Sequence, residues 1–174
     1  MGISEVRIQK KVKDALKAFC REDRLLLDIN ASERSISHKL AEHLQKQFRH
    51  LNVDCEYNRH RNDIKRLQFP NDSSARMNDL EARTVFPDII VHERGNDGNN
   101  LLVIEIKKSN SGLNHFYDYE KLKAFTSNPY HYKCGLFFLF DVEEKRLSDV
   151  LYFESGNKVN GGRWTDLKGL GNGG

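Results

Sequence analysis

At 174 residues, 38% hydrophobic and 30% charged, the chain is long enough for one α/β or α+β domain with a buried core. A net charge of +3 and a pI near 8.7 permit a nucleic-acid partner without demanding one. Cys20, Cys55 and Cys134 are widely spaced and none sits in a CxxC pair, which argues against a zinc site or a disulfide framework and suits a reducing cytosol.

The N-terminus is charged and amphipathic, with no signal-peptide apolar region, and Val6 breaks the myristoylation pattern that Gly2 would begin. From Ser4 to about Cys20, Ile8, Val12, Ala15, Leu16 and Phe19 recur at helical spacing, with lysines and Arg7 on the outer face. Asn30 reads as the N-cap of a second helix running to about His50, with Ile36, Leu40, Leu44 and Phe48 as its apolar stripe. A strand is expected from Val53 to Arg59. Residues 60–83 are polar and weakly periodic and read as a long loop.

Two strands follow, at about Val85–His92 and Leu101–Lys107, then a helix from Asn114 to about Ser127 with Phe116, Tyr119, Leu122 and Phe125 as its inner face. Pro129 stops that helix. The unbroken apolar run Cys134–Asp141 reads as a central strand buried on both faces, and Val150–Phe153 as another short strand. Its longest stretch, Leu136 to Phe140, is far too short to span a membrane, so a soluble, cytoplasmic protein is expected. Residues 169–174 read as a frayed tail. One domain over residues 1–174 is expected, a mixed central sheet flanked by helices.

The chemistry concentrates on the paired strands. Gly95, Asn96, Asp97 and Gly98 mark a turn, and a ribbon folded about Asn96 and Asp97 sets Asp88 opposite Glu105. Opposite residues share a face with Cβ atoms about 4.5–5.5 Å apart, and alternation puts Lys107 on that face too. Two carboxylates directly opposed need a positive charge between them, and a divalent metal is the obvious candidate. On the second helix Glu33 falls within the apolar stripe, which aims it at the sheet. It also completes a capping-box pattern, Asn30-Ala-Ser-Glu33, and both readings stand.

A helix-borne Glu33, then a strand, then Pro87-Asp88 and, after a spacer, Glu105-Ile106-Lys107 at the end of an apolar strand resembles the PD-(D/E)XK nucleases, the restriction-endonuclease-like superfamily. The resemblance spans about residues 30–141 and includes an αβββαβ core order, with the first helix, residues 4–20, as an addition. It implies a Mg²⁺- or Mn²⁺-dependent endonuclease acting on DNA. Asp88 and Glu105 would be metal ligands, Glu33 a third acid, and Lys107 the lysine that positions the attacking water. A catalytically inactive nucleic-acid or protein interaction module, and an RNA endonuclease using the same site, are the alternatives. The motif read instead as structure is a turn residue at Asp88 and an exposed charged strand edge at Glu105 and Lys107.

Tyr57, Arg59, His60, Arg61, Lys65 and Arg66 follow the first core strand and suit phosphate contacts along a substrate groove, or a solvated charged loop. Lys108 could meet a phosphate as well. Asp118 and Lys121 read as an i,i+3 surface ion pair, with the edge of the active site as the other reading. His38, His43 and His50 fall on the polar side of the second helix, and Trp164 is expected to pack locally. Because a single metal site cuts one strand at a time, duplex cutting would need repeated nicking or a homodimer, and a homodimer through the first helix is the favoured expectation.

Overall fold

Helix α1 spans Glu5–Glu22, with acidic Glu5 in its first turn and Arg21 in its last, the polarity that suits a helix dipole. It belongs to a computed structural model that describes residues 3–57, 59–60, 63–64, 66–67, 83–84, 86–112 and 114–171. Ile8, Val12, Ala15, Leu16 and Phe19 are all fully buried, as the periodicity predicts. They join the main hydrophobic cluster, so this face is already covered within the chain and is not free for a second copy.

A short helix α2 (Leu25–Asp28), not anticipated, precedes α3 (Glu33–Gln47). The N-cap of α3 is Ser32, whose side chain accepts from the Ser35 N–H at 3.2 Å. Asn30, expected in that role, has φ of 53° and ends the preceding turn instead. Glu33 is thus the first residue of the helix rather than the third, and the capping box does not form.

The central sheet runs β1 (Asn52–Cys55), β2 (Ile89–His92), β3 (Leu102–Lys108), β4 (Cys134–Asp141), β5 (Arg146–Glu154) and β6 (Asn157–Val159). The strands lie side by side in chain order. Only β3 and β4 are parallel, because helix α4 (Phe116–Thr126) carries the chain back between them; residues 56–88 join β1 to β2, and shorter connections join the other antiparallel neighbours. The fold is therefore α/β with a six-stranded mixed sheet.

Strand β1 ends before the expected Arg59, since Glu56 turns the chain with φ of 49°. Within the expected long loop, two-residue ribbons pair Arg59–His60 with Asp63–Ile64 and Arg66–Leu67 with Arg83–Thr84. Strand β5 is longer than Val150–Phe153, and it turns into β6 through Ser155 and Gly156, both at positive φ, which is the demand of a two-residue hairpin turn.

Alternation in β3 divides the two layers. Leu102, Ile104 and Ile106 face the large cluster beneath α1 and α3, while Val103 faces a smaller one under α4 with Ile90, Leu122, Phe125 and Phe137. Gly135 lets α4 approach closely, for a Cβ there would stand 2.9 Å from the Thr126 methyl.

At the C-terminus, Trp164 stacks on Tyr152 and donates its Nε1–H to Glu5 at 2.9 Å. It therefore joins the tail to α1 rather than packing locally. Residues 169 and 170, expected to fray, are held instead: Gly169 N–H donates to the Leu147 carbonyl and Leu147 N–H to that of Leu170, each at 2.8 Å, and residues 172–174 lie outside the described residues. Among the described residues no helix is long and apolar enough to cross a membrane.

Candidate active site

The register of β2 on β3 pairs Ile89 with Ile104, Ile90 with Val103 and Val91 with Leu102. One further step brings Asp88 opposite Glu105, the alignment that folding about Asn96 and Asp97 requires, although the connection contains an extra turn of 3₁₀ helix at Asp97–Asn99. Asp88 lies just outside the ladder. Its Oδ2 accepts the Ile106 N–H at 2.7 Å and so takes the place of a missing strand partner.

Glu105 follows Val103 on the face toward α4, a position an apolar residue would ordinarily fill. Its side chain is 0% exposed. Oε2 accepts from Lys121 Nζ at 2.5 Å, whereas Oε1 is buried with no hydrogen-bond partner among the described residues. Burial, and then the neighbouring Asp88 charge, raise the Glu105 pKa well above the ordinary glutamate value, against the pull of Lys121. Burial likewise raises Asp88, opposed by the Ile106 N–H and by Lys121 and Lys107. Burial and mutual repulsion make these two acids costly to hold together in their charged forms.

Lys107, next on the same face, has its Nζ 3.3 Å from Glu33 Oε2 and 3.7 Å from Asp118 Oδ1. Burial works against its charge, but Asp118, Glu33 and Asp88 outweigh burial and raise its pKa, so it is an ammonium at neutral pH. Glu33 reaches across from the first turn of α3, and its Oε1 accepts the Lys108 N–H at 3.0 Å. Both of its oxygens are thereby engaged.

The three-carboxylate metal set of Asp88, Glu105 and Glu33 consequently does not assemble. Among the described residues no group of three or more His, Cys, Asp or Glu side chains converges in a way that could hold a metal ion. Two carboxylates do converge, and the orphaned Glu105 oxygen gives a cation one buried acceptor. Mg²⁺ is commonly held by only one or two carboxylates, with water and substrate phosphate completing its shell. Asp88 and Glu105 fit that donor set.

Helix α4 adds two residues that read from sequence as a surface ion pair. Asp118 is 5% and Lys121 7% exposed, and their side chains lie 3.5 Å apart inside the cluster. Burial opposes the Lys121 charge, but Glu105, Asp88 and Asp118 prevail and raise its pKa. The signal was present in the spacing. Asp118, Lys121, Leu122 and Phe125 fall at i, i+3, i+4 and i+7, one helical face, and that face is the buried one. Phe116, assigned to the inner face, is exposed instead.

The remaining expected contacts are dispersed. The Lys108 ammonium is taken by the backbone oxygens of Asn30 and Ala31 and by Asn30 Oδ1, at 2.8–3.3 Å, so it ties α3 to β3 rather than facing a phosphate. The Tyr57 ring packs on His92, 4.8 Å between centroids, at the end of β2 opposite Asp88. Arg59 is placed by its backbone alone, and Arg61 and Lys65 lie outside the described residues. His38 and His50 are exposed. His43 is buried instead, with Nε2 2.6 Å from Asp23, because it follows Ile36 and Leu40 on the inward stripe of α3.

No protein-family model matches the chain, and no curated protein matches it significantly.

Proposed function

We propose that the chain is a divalent-cation-dependent nuclease of the PD-(D/E)XK type, with a restriction-endonuclease-like fold, hydrolysing phosphodiester bonds of DNA. One observation carries the reading: a fully buried glutamate with an unpartnered oxygen, set against a second carboxylate and beside a lysine held as an ammonium. A buried carboxylate oxygen left unpaired is costly, and sites that tolerate such a cost are commonly functional. The order α3–β1–β2–β3–α4–β4, with β4 parallel to β3, supports it as the αβββαβ order that the resemblance implies.

In this reading Asp88 and Glu105 hold Mg²⁺ or Mn²⁺. The bound ion supplies a water of lowered pKa and screens charge on the phosphate. The chain supplies the rest. Lys107 is protonated, so it cannot accept the water's proton. It would donate instead, orienting the attacking oxygen and stabilising charge that develops as the new phosphorus–oxygen bond forms and the ester bond breaks, while the water's proton passes to solvent and the leaving oxygen takes one from solvent. Glu33 fixes Lys107 from the side of α3, and its second oxygen secures the backbone at Lys108. Asp118 holds Lys107 from the side of α4.

The test is incubation with labelled single-stranded DNA, double-stranded DNA and RNA, in Mg²⁺, Mn²⁺ or EDTA, beside Lys107→Ala and Asp88→Ala. Cleavage that needs the metal and falls by roughly 10²–10³ in each variant is expected. Absence of cleavage from all three substrates, together with no Mn²⁺ binding by calorimetry, would overturn the reading.

A further inference from the structure

Lys121 is the charged group in this centre for which the nuclease reading has no use. It issues from α4 between Asp118 and Leu122, and the helix is anchored by Leu122 and Phe125, both fully buried. Its ammonium is 2.5 Å from Glu105 Oε2 and 3.5 Å from Asp118 Oδ1. Tyr117 flanks it, the ring centroid 5.7 Å from Nζ. With so little of the side chain in water, separating the ammonium from these partners would leave buried charges uncompensated.

The charges around it can be counted. Asp88, Glu105, Glu33 and Asp118 contribute four carboxylates, and Lys107 and Lys121 two ammoniums, each shared between two of those acids. With every acid ionised the cluster carries a formal charge of −2, the complement of a single divalent ion. Glu105 Oε1 is its one buried side-chain oxygen without a partner among the described residues, so one acceptor is open where one ion is needed. The other oxygen of Glu105 is already occupied by a cation that belongs to the chain.

We propose that Lys121 is the built-in counter-cation of this centre, standing on Glu105 where a second divalent ion would otherwise bind, so that the chain takes one divalent ion between Asp88 and Glu105. The inference rests on the nuclease reading and assigns its metal stoichiometry. Lys121 is a positioning residue here: it acts on Glu105, holding Oε2 and leaving Oε1 open. A neutral side chain at position 121 leaves the cluster one charge more negative and frees Glu105 Oε2, which opens room for a second ion.

The experiment titrates Mn²⁺ into wild type, Lys121→Gln and Lys121→Arg by calorimetry without nucleic acid, and follows thermal melting of each in EDTA and in Mn²⁺. Wild type and Lys121→Arg are expected to bind one ion per chain. Lys121→Gln is expected to bind two and to gain roughly twice the wild-type rise in melting temperature from Mn²⁺, because a ligand that binds only the folded state stabilises it. If Lys121→Gln does not fold in EDTA, recovery of a cooperative melt in Mn²⁺ supports the proposal and failure to recover overturns it. A folded Lys121→Gln that binds one ion with an unchanged melting response overturns it too. Wild type that cleaves DNA with two Mn²⁺ bound per chain overturns this inference alone. Wild type that neither cleaves nor binds Mn²⁺ overturns the nuclease reading with it.

Discussion

Asp54 and Glu105 are both carboxylates set into the α4 side of the sheet, and their surroundings differ in one respect. Asp54, on β1, has both oxygens occupied: Oδ2 accepts from His92 Nε2 and from Arg94 Nε, each at 2.9 Å, and Oδ1 from the other arm of Arg94. Burial works against its charge, yet Arg94 and His92 outweigh it and lower its pKa. Glu105 has one oxygen on Lys121 and none on the other, faces a second acid, and is shifted upward. The first arrangement is closed and serves as a staple between β1 and the turn after β2. The second sets an acid against an acid around a buried oxygen with no partner among the described residues, and that is what distinguishes a candidate active site from a structural ion pair. His43 Nδ1 and His115 Nδ1 are also buried without hydrogen bonds. An imidazole can leave a lone pair there at modest cost, whereas an ionised carboxylate oxygen cannot.

The comparison breaks most sharply on pH. A folded-state pKa below the ordinary value, as at Asp54, contributes stability that is present above the ordinary aspartate range and lost as pH falls through the folded value. A raised one, as at Glu105, contributes stability that is present below the ordinary glutamate range and lost as pH rises through the folded value. Asp54→Asn should therefore cost about 1.5–3 kcal/mol at neutral pH, the loss shrinking on acidification. Glu105→Gln should differ least from wild type at acid pH and gain on it as pH rises, the opposite sign to Asp54→Asn. Denaturant unfolding of the three proteins across the acid-to-neutral range checks both slopes. Parallel slopes would remove the distinction between staple and site.

Glu33 sharpens the boundary of the site. If it holds Lys107 rather than metal, Glu33→Gln lowers the cleavage rate by about 10–100-fold, the usual effect of losing a supporting partner, and leaves Mn²⁺ affinity unchanged. A parallel fall in Mn²⁺ affinity would return Glu33 to the metal set. The smallest effect is expected at the helix start, where Ser32→Ala should lower stability by about 1 kcal/mol through loss of the cap to Ser35, read from a melting curve.

How much of this was legible in the chain depends on the range over which each signal acts. The pairing of Asp88 with Glu105 follows from a local turn and from strict alternation, so the residues themselves dictate it. The same holds for the apolar stripe of α1, for the helix between two parallel strands, and for the doubly buried β4. Alternation also places Lys107 on the face of Glu105 without reference to any other element. Other features depend on what a side chain meets after packing. Spacing places Asp118 and Lys121 on the face of Leu122 and Phe125, and His43 on the stripe of Ile36 and Leu40, but the groups they meet, Glu105 and Lys107 in one case and Asp23 in the other, are fixed only by packing. The placing of Glu33 needed tertiary structure for a similar reason. From the sequence its inward position fits a metal ligand, but its reach to Lys107 and the Lys108 amide exists only once α3 is docked on the end of β3. Periodicity and turn chemistry are properties of neighbouring residues, and they determined which acids oppose one another. The partners that leave a single Glu105 oxygen unpaired come from elements far apart in the chain, and only the tertiary structure decided them.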